Sequence, residues 1–303
     1  MENLKPVLVI GATGFLGMEI CHQLVNANKK VRALVRITSD PVKVNSLKEM
    51  GIEIVTGDIK DPLSLAKACK DAGAVISTAS STLSRIQGDS IETVDRQGQL
   101  NVVEASNAAN VEKFVYISFL ETNEKFPLQD AKREVEKRIM QTSMDYTILR
   151  PTFFMEVWLG PYLGFDTKNR KATIYGHGVN KISWISLKDV AAFAVASLDN
   201  EVAMTSIIDL GGPEALSPLE VIRIFEEETG KFELQYVPEE VIRNQKDQST
   251  DILEQSFAAL MLNYVAGAEV PMEETLHLIP INMTTVREFS HLVLNRGELE
   301  EKV

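Results

Sequence analysis

The first residues suited to chemistry form a glycine-rich motif near the start of the chain. Gly11, Gly14 and Gly17 lie in the sequence Gly-Ala-Thr-Gly-Phe-Leu-Gly, between a short apolar run and an amphipathic one. Glycines at this spacing let the backbone turn tightly, approach a pyrophosphate and pack a helix on the preceding strand. The N–H groups of the helix start then face the phosphates. A tight turn without a ligand is the alternative, but the strand–turn–helix context favours dinucleotide binding. The predicted contacts are Gly11, Thr13, Gly14, Phe15, Leu16 and Gly17.

A basic residue at the end of the second predicted strand points to the type of dinucleotide. Arg36 lies 19 residues after Gly17, close to the position where an acidic residue holds the ribose 2′-hydroxyl of NAD. A guanidinium there suits the 2′-phosphate of NADP, because it binds phosphate bidentately. Asp40 is the competing candidate and is equally suited to cap the next helix. Charge complementarity therefore favours NADP(H) over NAD(H).

Further candidates follow the third and fourth predicted strands. Asp58 comes directly after the third strand, where its carboxylate can accept a hydrogen bond from an adenine amino group or simply belong to a turn. Small residues end the fourth strand, at the sheet edge where open α/β sheets bind ligands. We predict cofactor contacts from Asp58, Ile59, Ala79 and Ser80.

Short apolar runs alternate with amphipathic segments through the first half of the chain. The runs are rich in Val and Ile and lack polar alternation, which is typical of parallel strands covered on both faces. The predicted strands are 6–10, 31–35, 52–55, 74–79, 113–118 and 146–149, and the predicted helices are 15–28, 41–50, 62–71, 90–110 and 129–143. Repeated β-α units with right-handed crossovers predict an α/β protein with a Rossmann-type doubly wound parallel sheet.

The pattern changes after Arg150-Pro151, where glycine and proline separate short segments. We predict strands at 181–185 and 206–210, and helices at 187–198, 218–229, 238–245, 251–268 and 284–295. Residues 1–150 are therefore predicted to form an NAD(P)-binding Rossmann domain. Residues 151–303 are predicted to form a smaller, irregular α+β substrate lobe packed on it.

Composition excludes several classes of function. The 303 residues carry 31 basic and 43 acidic side chains, a net charge of −12 that disfavours nucleic acid as a partner. No apolar stretch reaches the roughly 20 residues of a membrane helix, and no export signal is recognisable, so we expect a cytoplasmic protein without membrane contact. Two distant cysteines and four scattered histidines give no metal-ligand spacing, so no metal is expected. The oligomeric state stays open, a homodimer being one option.

Several longer motifs occur together over residues 5–155. They are Gly-Ala-Thr-Gly-Phe-Leu-Gly (11–17), Ala-Leu-Val-Arg (33–36), Gly-Asp-Ile-Lys-Asp (57–61), Asp-Arg-Gln-Gly-Gln-Leu-Asn (95–101), Lys-Phe-Val-Tyr-Ile-Ser (113–118) and Tyr-Thr-Ile-Leu-Arg-Pro (146–151). In these motifs the sequence resembles atypical short-chain dehydrogenases/reductases of the NmrA-like group. Beyond residue 155 the resemblance thins to 185–190 and 210–214. It implies the fold and a nicotinamide cofactor more specifically than it implies a reaction.

The resemblance also implies candidate catalytic residues. Typical members use a serine at the end of the fifth strand and a tyrosine four residues before a lysine, whose charge lowers the tyrosine's pKa. By this resemblance Ser118 and Lys132 are the catalytic candidates, and Lys132 and Pro151 also contact the cofactor. Leu128 stands at the tyrosine position, so the usual general acid is missing. Tyr116 shares the side-chain parity of Ser118, but a core aromatic is the favoured interpretation. A surface i,i+4 pair with Glu136 is the alternative for Lys132.

Two functions follow from these residues. The first is an NADPH-dependent reductase or isomerase acting on a small, apolar carbonyl or quinone-like substrate, with Lys132 in place of the usual Tyr-Lys pair. Phe153, Phe154, Trp158 and Tyr162 would then line the substrate pocket, although a hydrophobic core explains these aromatics equally well. The second is a non-catalytic NADP(H)-binding redox sensor or regulator, from which an assembly factor with a vestigial cofactor is not distinguishable by sequence.

Overall fold

Six strands from the first half of the chain and a seventh from residues 206–210 form one large sheet. The computed structural model describes residues 5–82, 84 and 86–300. The strands of the whole chain, in all its sheets, are β1 (Val7–Ile10), β2 (Val31–Val35), β3 (Glu53–Thr56), β4 (Ala74–Ser77), β5 (Lys113–Ile117), β6 (Asp145–Pro151), β7 (Phe165–Asp166), β8 (Lys171–Tyr175), β9 (Ile182–Ser183), β10 (Ser206–Leu210), β11 (Ala215–Leu216) and β12 (Glu233–Val237) among the described residues.

The order across the large sheet is β10-β6-β5-β4-β1-β2-β3. The pairings among β1 to β6 are all parallel, with Ile10 opposite both Leu34 and Ser77. The chain order therefore reverses between β1 and β4, and the carboxyl ends of both strands lie at one edge. Ligands bind at such a reversal in open α/β sheets. The predicted doubly wound α/β fold is confirmed.

Helices connect and flank these strands. They are α1 (Phe15–Asn26), α2 (Pro41–Glu49), α3 (Pro62–Cys69), α4 (Gln97–Ala108), α5 (Pro127–Ile139), α6 (Met155–Trp158), α7 (Leu187–Ala196), α8 (Pro218–Thr229), α9 (Glu239–Gln248), α10 (Ile252–Ala266), α11 (Glu273–Leu278) and α12 (Val286–Glu300). Asp40 and Asp61 cap α2 and α3 by accepting hydrogen bonds from Val42 N at 2.8 Å and Leu63 N at 3.0 Å. Each cap is followed by proline, which has no N–H to leave unpaired at the first helical position.

The predicted single helix over 90–110 consists of two parts. A π-helix spans Ile91–Arg96 and leads directly into α4. Ser90 and Thr93 form a capping box at its start, with Thr93 N donating to Ser90 Oγ at 3.0 Å. A π-turn is wider than an α-turn and changes the direction of the side chains that it carries. The π-helix carries Asp95, whose carboxylate binds Ser81 just after β4.

The chain divides into two compact units. The first comprises Met1–Phe119, Pro127–Arg150 and Val190–Ile208, and the second comprises Leu120–Phe126, Pro151–Asp189 and Asp209–Val303. The predicted boundary at residue 150 coincides with one of the points where the chain passes from the first unit to the second. The assignment of residues 151–303 as a substrate lobe stays a prediction.

The core of the first unit lies on the faces of the large sheet. Leu8, Ile10, Val75, Phe114 and Ile148 are buried there together with side chains of the flanking helices. All four residues of β1 and of β4 are buried. Burial on both faces explains why these strands show continuous apolar runs.

The second unit contains a three-stranded sheet, β12-β8-β7, and the antiparallel pair β11-β9. Its core includes Trp184, whose indole N–H donates to Leu216 O at 2.8 Å, and Phe225. Sequence analysis missed β8 and β12, which pair in parallel. β12 is exposed or half-buried throughout, so it carries no apolar run that would reveal a strand.

Among the described residues, no helix combines the length and the apolar character needed to cross a bilayer.

Candidate functional site

The glycine turn after β1 depends on close backbone contacts. Gly11 has φ +84°, and a Cβ on it would lie 2.6 Å from Thr78 Oγ1. A Cβ on Gly17 would lie 2.1 Å from Gly11 O, so no other residue fits there without moving the backbone. Gly14 is exposed, and its Cβ would approach only Gly11 O, at 3.2 Å. Two glycines therefore join α1 to β1, and the third keeps the outer side of the turn open.

The first turn of α1 faces this open side. Intrahelical bonding begins when Met18 N donates to Gly14 O at 2.9 Å, which leaves the N–H groups of Phe15, Leu16 and Gly17 without helical acceptors. No side chain caps Gly14, and the first turn carries no acidic residue. Backbone donors and the helix dipole therefore attract an anion here. This arrangement fits the pyrophosphate of a dinucleotide.

Lys43 is a cation at the turn that sequence analysis missed. Its ammonium donates to Thr13 O at 3.2 Å and lies 5.2 Å from the centroid of the Phe15 ring. Phe15 is exposed, Thr13 is half-buried, and Leu16 is buried behind the turn. The sequence gives only a lysine in the first turn of α2, which does not single it out because exposed helix faces often carry lysine.

Arg36, which directly follows β2, binds a buried carboxylate. Its Nη1 donates to Asp89 at 2.6 Å, and Lys60 Nζ donates to the other oxygen of Asp89 at 2.6 Å. Ser84 Oγ adds a hydrogen bond at 2.5 Å. Burial alone would raise the pKa of Asp89, but the hydrogen bonds from Lys60, Ser84 and Arg36 lower it to about 2. Asp89 is therefore an anion at every physiological pH.

The other residues predicted at this edge have structural contacts of their own. Asp58 follows β3, is about one-third exposed, and accepts from Lys60 N at 2.9 Å. Ile59 is buried against Gly98, whose Cβ would lie 2.7 Å from Ile59 Cδ1. Ala79 O accepts from Gln99 at 2.6 Å, and Ser80 Oγ lies 3.3 Å from Thr82 Oγ1. Their roles in cofactor binding stay predictions.

A buried polar group lies at the carboxyl end of β5. Lys132 on α5 is only 6% exposed, and its ammonium donates to Ile117 O at 3.1 Å. It also lies 5.2 Å from the centroid of the Tyr116 ring. Ser118 follows β5 and is buried beside them. Among the described residues, neither Ser118 Oγ nor Tyr116 Oη has a partner with hydrogen-bond geometry. The structure thus places Ser118 and Lys132 at the same strand end.

The surroundings of Lys132 set its charge. Burial lowers the pKa of Lys132, whereas the negative charges of Asp95 and Glu136 act in the opposite direction. Leu128, at the position of the usual tyrosine, is buried and offers no acid. Lys132 does not lie on an exposed helix face, so the interpretation as a surface ion pair with Glu136 is wrong. A buried ammonium can donate to, and release a proton toward, a bound oxygen.

Asp95 is a second residue that sequence analysis missed, although it belongs to the Asp-Arg-Gln-Gly motif. It lies on the π-helix, is fully buried, and accepts from Ser81 N at 3.0 Å and from Ser81 Oγ at 2.5 Å. Its other carboxylate oxygen, Oδ1, has no partner among the described residues. The π-turn therefore directs a carboxylate into the interior of the first unit.

The buried carboxylate of Glu136 joins α5 to β6 through ion pairs with two partly buried arginines. Arg150 Nη2 donates to its carboxylate at 2.5 Å, and Arg133 donates to the same group. Burial alone would raise the pKa of Glu136, but Arg150, the nearby Ser118 hydroxyl and Arg133 hold it below its ordinary value. Lys132 is one helical turn from Glu136, so this network anchors the helix that carries the lysine.

The aromatic residues predicted to bind substrate belong to the second unit. Phe153 is buried and packs edge-on against Trp158 at 4.7 Å, and Trp158 stacks on Tyr264 at 5.2 Å. Trp158 and Tyr264 also line a small pocket with Tyr175. Phe154 is half-buried, Tyr162 is 83% exposed, and Pro151 ends β6 as a buried residue. Phe153 is thus a core residue, and Trp158 borders both the core and the pocket.

Known proteins with similar sequences and structures extend these observations. Residues 3–290 match the family described as the NmrA-like family. The chain is 34% identical to the Photosystem II assembly factor Ycf39 of Synechocystis sp. over 241 residues, 78% of this chain and 72% of that protein. It is 27% identical to the isoflavone reductase homolog IRL of Zea mays over 310 residues, 94% of this chain and 97% of that protein.

Solved structures share the fold over nearly the whole chain. A crystal structure of isoflavone reductase has a TM-score of 0.76 at 23% identity and covers 95% of this chain and 99% of its own. The NADPH-dependent quinone oxidoreductase QOR2 of Escherichia coli, complexed with NADPH, has a TM-score of 0.74 at 22% identity, with 95% and 99% covered.

We expect Gly17→Ala to destabilise the protein by about 2–3 kcal/mol, because the new methyl group overlaps a carbonyl that cannot move independently of β1. Gly14→Ala is the matched control and should cost less than about 1 kcal/mol, since its Cβ meets one atom at 3.2 Å. Urea unfolding measures both free energies. Equal losses in the two variants would contradict this account of the turn.

We expect Glu136→Gln to lower the free energy of unfolding at pH 7 by about 3 kcal/mol, since it leaves two partly buried guanidinium groups without their anion. Because the folded-state pKa of Glu136 is lowered, its contribution is present above the unfolded-state pKa and is lost as pH falls through the folded-state value. Glu134→Gln, on the exposed side of α5, should change stability by less than about 0.5 kcal/mol. Urea unfolding should show the free energies of unfolding of Glu136→Gln and of the unmodified protein converging as the pH falls from 7 to 3.

Proposed function

Because the chain belongs to the NmrA-like family, we propose that it is an NADP(H)-dependent reductase or isomerase acting on a small, apolar carbonyl or quinone-like compound. The observation that carries this proposal is the buried ammonium of Lys132 beside the hydroxyl of Ser118, which lies near Glu136 but makes no well-formed hydrogen bond. Buried polar groups without partners are rare in folded proteins and need an explanation. A bound oxygen of a substrate would provide one.

The glycine turn and Arg36 would hold the nucleotide. N–H groups of the first turn of α1 bind the pyrophosphate, and the exposed part of Arg36 binds the 2′-phosphate. Lys43 adds positive charge beside the turn. The nicotinamide, when bound, supplies or accepts the hydride.

Lys132 would handle the proton. Its ammonium has three donors, of which one is directed at Ile117 O, so it can also donate to a substrate oxygen. Burial lowers the pKa of Lys132 and makes its proton easier to release. The negative charges of Asp95 and Glu136 oppose this effect of burial. Ser118 donates a second hydrogen bond to the same oxygen.

A second candidate is a non-catalytic NADP(H)-binding regulator or assembly factor. Two observations favour it: Leu128 replaces the usual acid with a buried apolar side chain, and a relative at 34% identity is named as an assembly factor. Lys132 would then serve to fasten α5 to the end of β5. Regulation by the nucleotide requires that it bind two conformations with different affinity. Cytoplasmic location and a homodimer stay predictions from the sequence.

We expect the protein to oxidise NADPH in the presence of one or more compounds from a panel of quinones and enones. Lys132→Ala should lower kcat by about 100-fold or more, because it removes the proton donor. Any accompanying loss of NADPH affinity would report the predicted contact of Lys132 with the cofactor. Lys137→Ala, on the exposed face of the same helix, is the control and should leave kcat unchanged. NADPH fluorescence measures both binding and turnover.

Undiminished turnover in Lys132→Ala would contradict the catalytic role. Tight NADPH binding without turnover of any compound would favour the regulator, and chromatography of the protein with and without NADPH would then look for a change in size or partners.

We expect Arg36→Ala to weaken NADPH binding by roughly 10- to 100-fold and NADH binding by much less. The reason is that only NADPH carries a 2′-phosphate for the guanidinium to bind. Lys48→Ala, an exposed cation on α2, serves as the control and should affect both nucleotides equally. Fluorescence titration gives the dissociation constants. Equal losses for NADPH and NADH in Arg36→Ala would assign Arg36 a structural role only.

A further inference from the structure

We propose that Asp89 determines how strongly this protein prefers nucleotides with a 2′-phosphate, by neutralising part of the positive charge of Arg36 and Lys60. The proposal rests on the nucleotide binding proposed above. It concerns a specificity-determining residue that lies 53 positions from Arg36 in the sequence and is joined to it by a direct ion pair.

The geometry shows a carboxylate shared between two cations. Arg36 Nη1 and Lys60 Nζ each approach a different oxygen of Asp89 at 2.6 Å. The Asp89 side chain is only 2% exposed, whereas those of Arg36 and Lys60 are 34% and 31% exposed. The carboxylate of Asp89 is therefore buried, and the two cations are partly exposed to solvent. A ligand reaches the cations and does not reach Asp89 itself.

This arrangement weakens the attraction for a second anion. The guanidinium of Arg36 has five N–H donors, and Asp89 accepts from Nη1. The exposed part of Arg36 can therefore still bind a phosphate, but the phosphate approaches a cation whose charge is already partly compensated. A buried charge is poorly screened by water, so its repulsion of a dianion a few ångströms away is substantial.

Lys60 has the opposite effect. It shares the charge of Asp89 with Arg36 and lies 3.7 Å from Asp58. Without Lys60, the full charge of Asp89 would act on Arg36 and on any phosphate bound there. Removal of Asp89 and removal of Lys60 should therefore change nucleotide preference in opposite directions, whereas general damage to the cluster would change it in the same direction.

Two small nucleotides isolate this effect. Adenosine 2′,5′-bisphosphate carries the 2′-phosphate, and 5′-AMP is the same molecule without it. The ratio of their dissociation constants, measured by calorimetry on the full chain, reports the contribution of the 2′-phosphate alone. Affinity for 5′-AMP also shows whether a variant has kept its adenosine site, and thermal unfolding shows whether it is folded.

We expect Asp89→Asn to raise the preference for the bisphosphate about tenfold, since asparagine keeps an acceptor for Arg36 but removes the charge. We expect Lys60→Gln to lower the preference several-fold. An unchanged or lower preference in Asp89→Asn with intact 5′-AMP binding would overturn the proposal, because Asp89 would then only orient Arg36.

The two proposals fail in different ways. If the unmodified protein binds neither nucleotide, the proposed nucleotide binding is wrong, and the role of Asp89 falls with it. If it binds both and Asp89→Asn does not move the ratio, only the role of Asp89 is wrong. Should Asp89→Asn fail to fold, Lys60→Gln decides alone: an unchanged or higher preference in that variant overturns the proposal.

Discussion

The close approach of α1 to β1 is the constraint on which the sheet edge depends. Gly17 lies so near Gly11 O that a single Cβ would overlap it. This contact directs the first turn of α1, and with it three backbone N–H groups, along the edge where the order of the strands reverses. The donors belong to the backbone and are fixed by packing, so an anion bound there need not order them first.

Charge along this edge is held in small groups in which two cations share one carboxylate. Asp89 compensates Arg36 and Lys60, and Glu136 compensates Arg133 and Arg150. Lys132 differs, because within the described residues no carboxylate forms an ion pair with it, and its ammonium donates to the carbonyl of Ile117. A buried charge without a close counter-ion is costly. That cost is the physical reason to regard Lys132 as a functional residue.

Much of the first unit was predictable, because its strands are buried on both faces and its helices carry clear caps. Strand β2 has the predicted bounds, and Asp40 caps α2, which was one of its two predicted roles. Arg36 was predicted from the sequence as a binding residue, but Asp89 was not. Their pairing depends on the path of the loop after β4, which brings Asp89 back beside Arg36. The burial of Lys132 was equally hidden, because charged residues on an amphipathic helix usually face solvent. In the second unit, β12 is too exposed to leave an apolar pattern.

The path of the chain has a consequence for how its two units can be separated. β10 returns to the large sheet beside β6, and Thr147 of β6 donates to Ala203 O at 2.7 Å, just before that strand. A fragment ending at Arg150 would therefore present β6 as a bare edge, ready to associate with other chains. Gene fusion or recombination that exchanges only the carboxyl-terminal portion would have to carry a matching edge strand to leave the sheet intact.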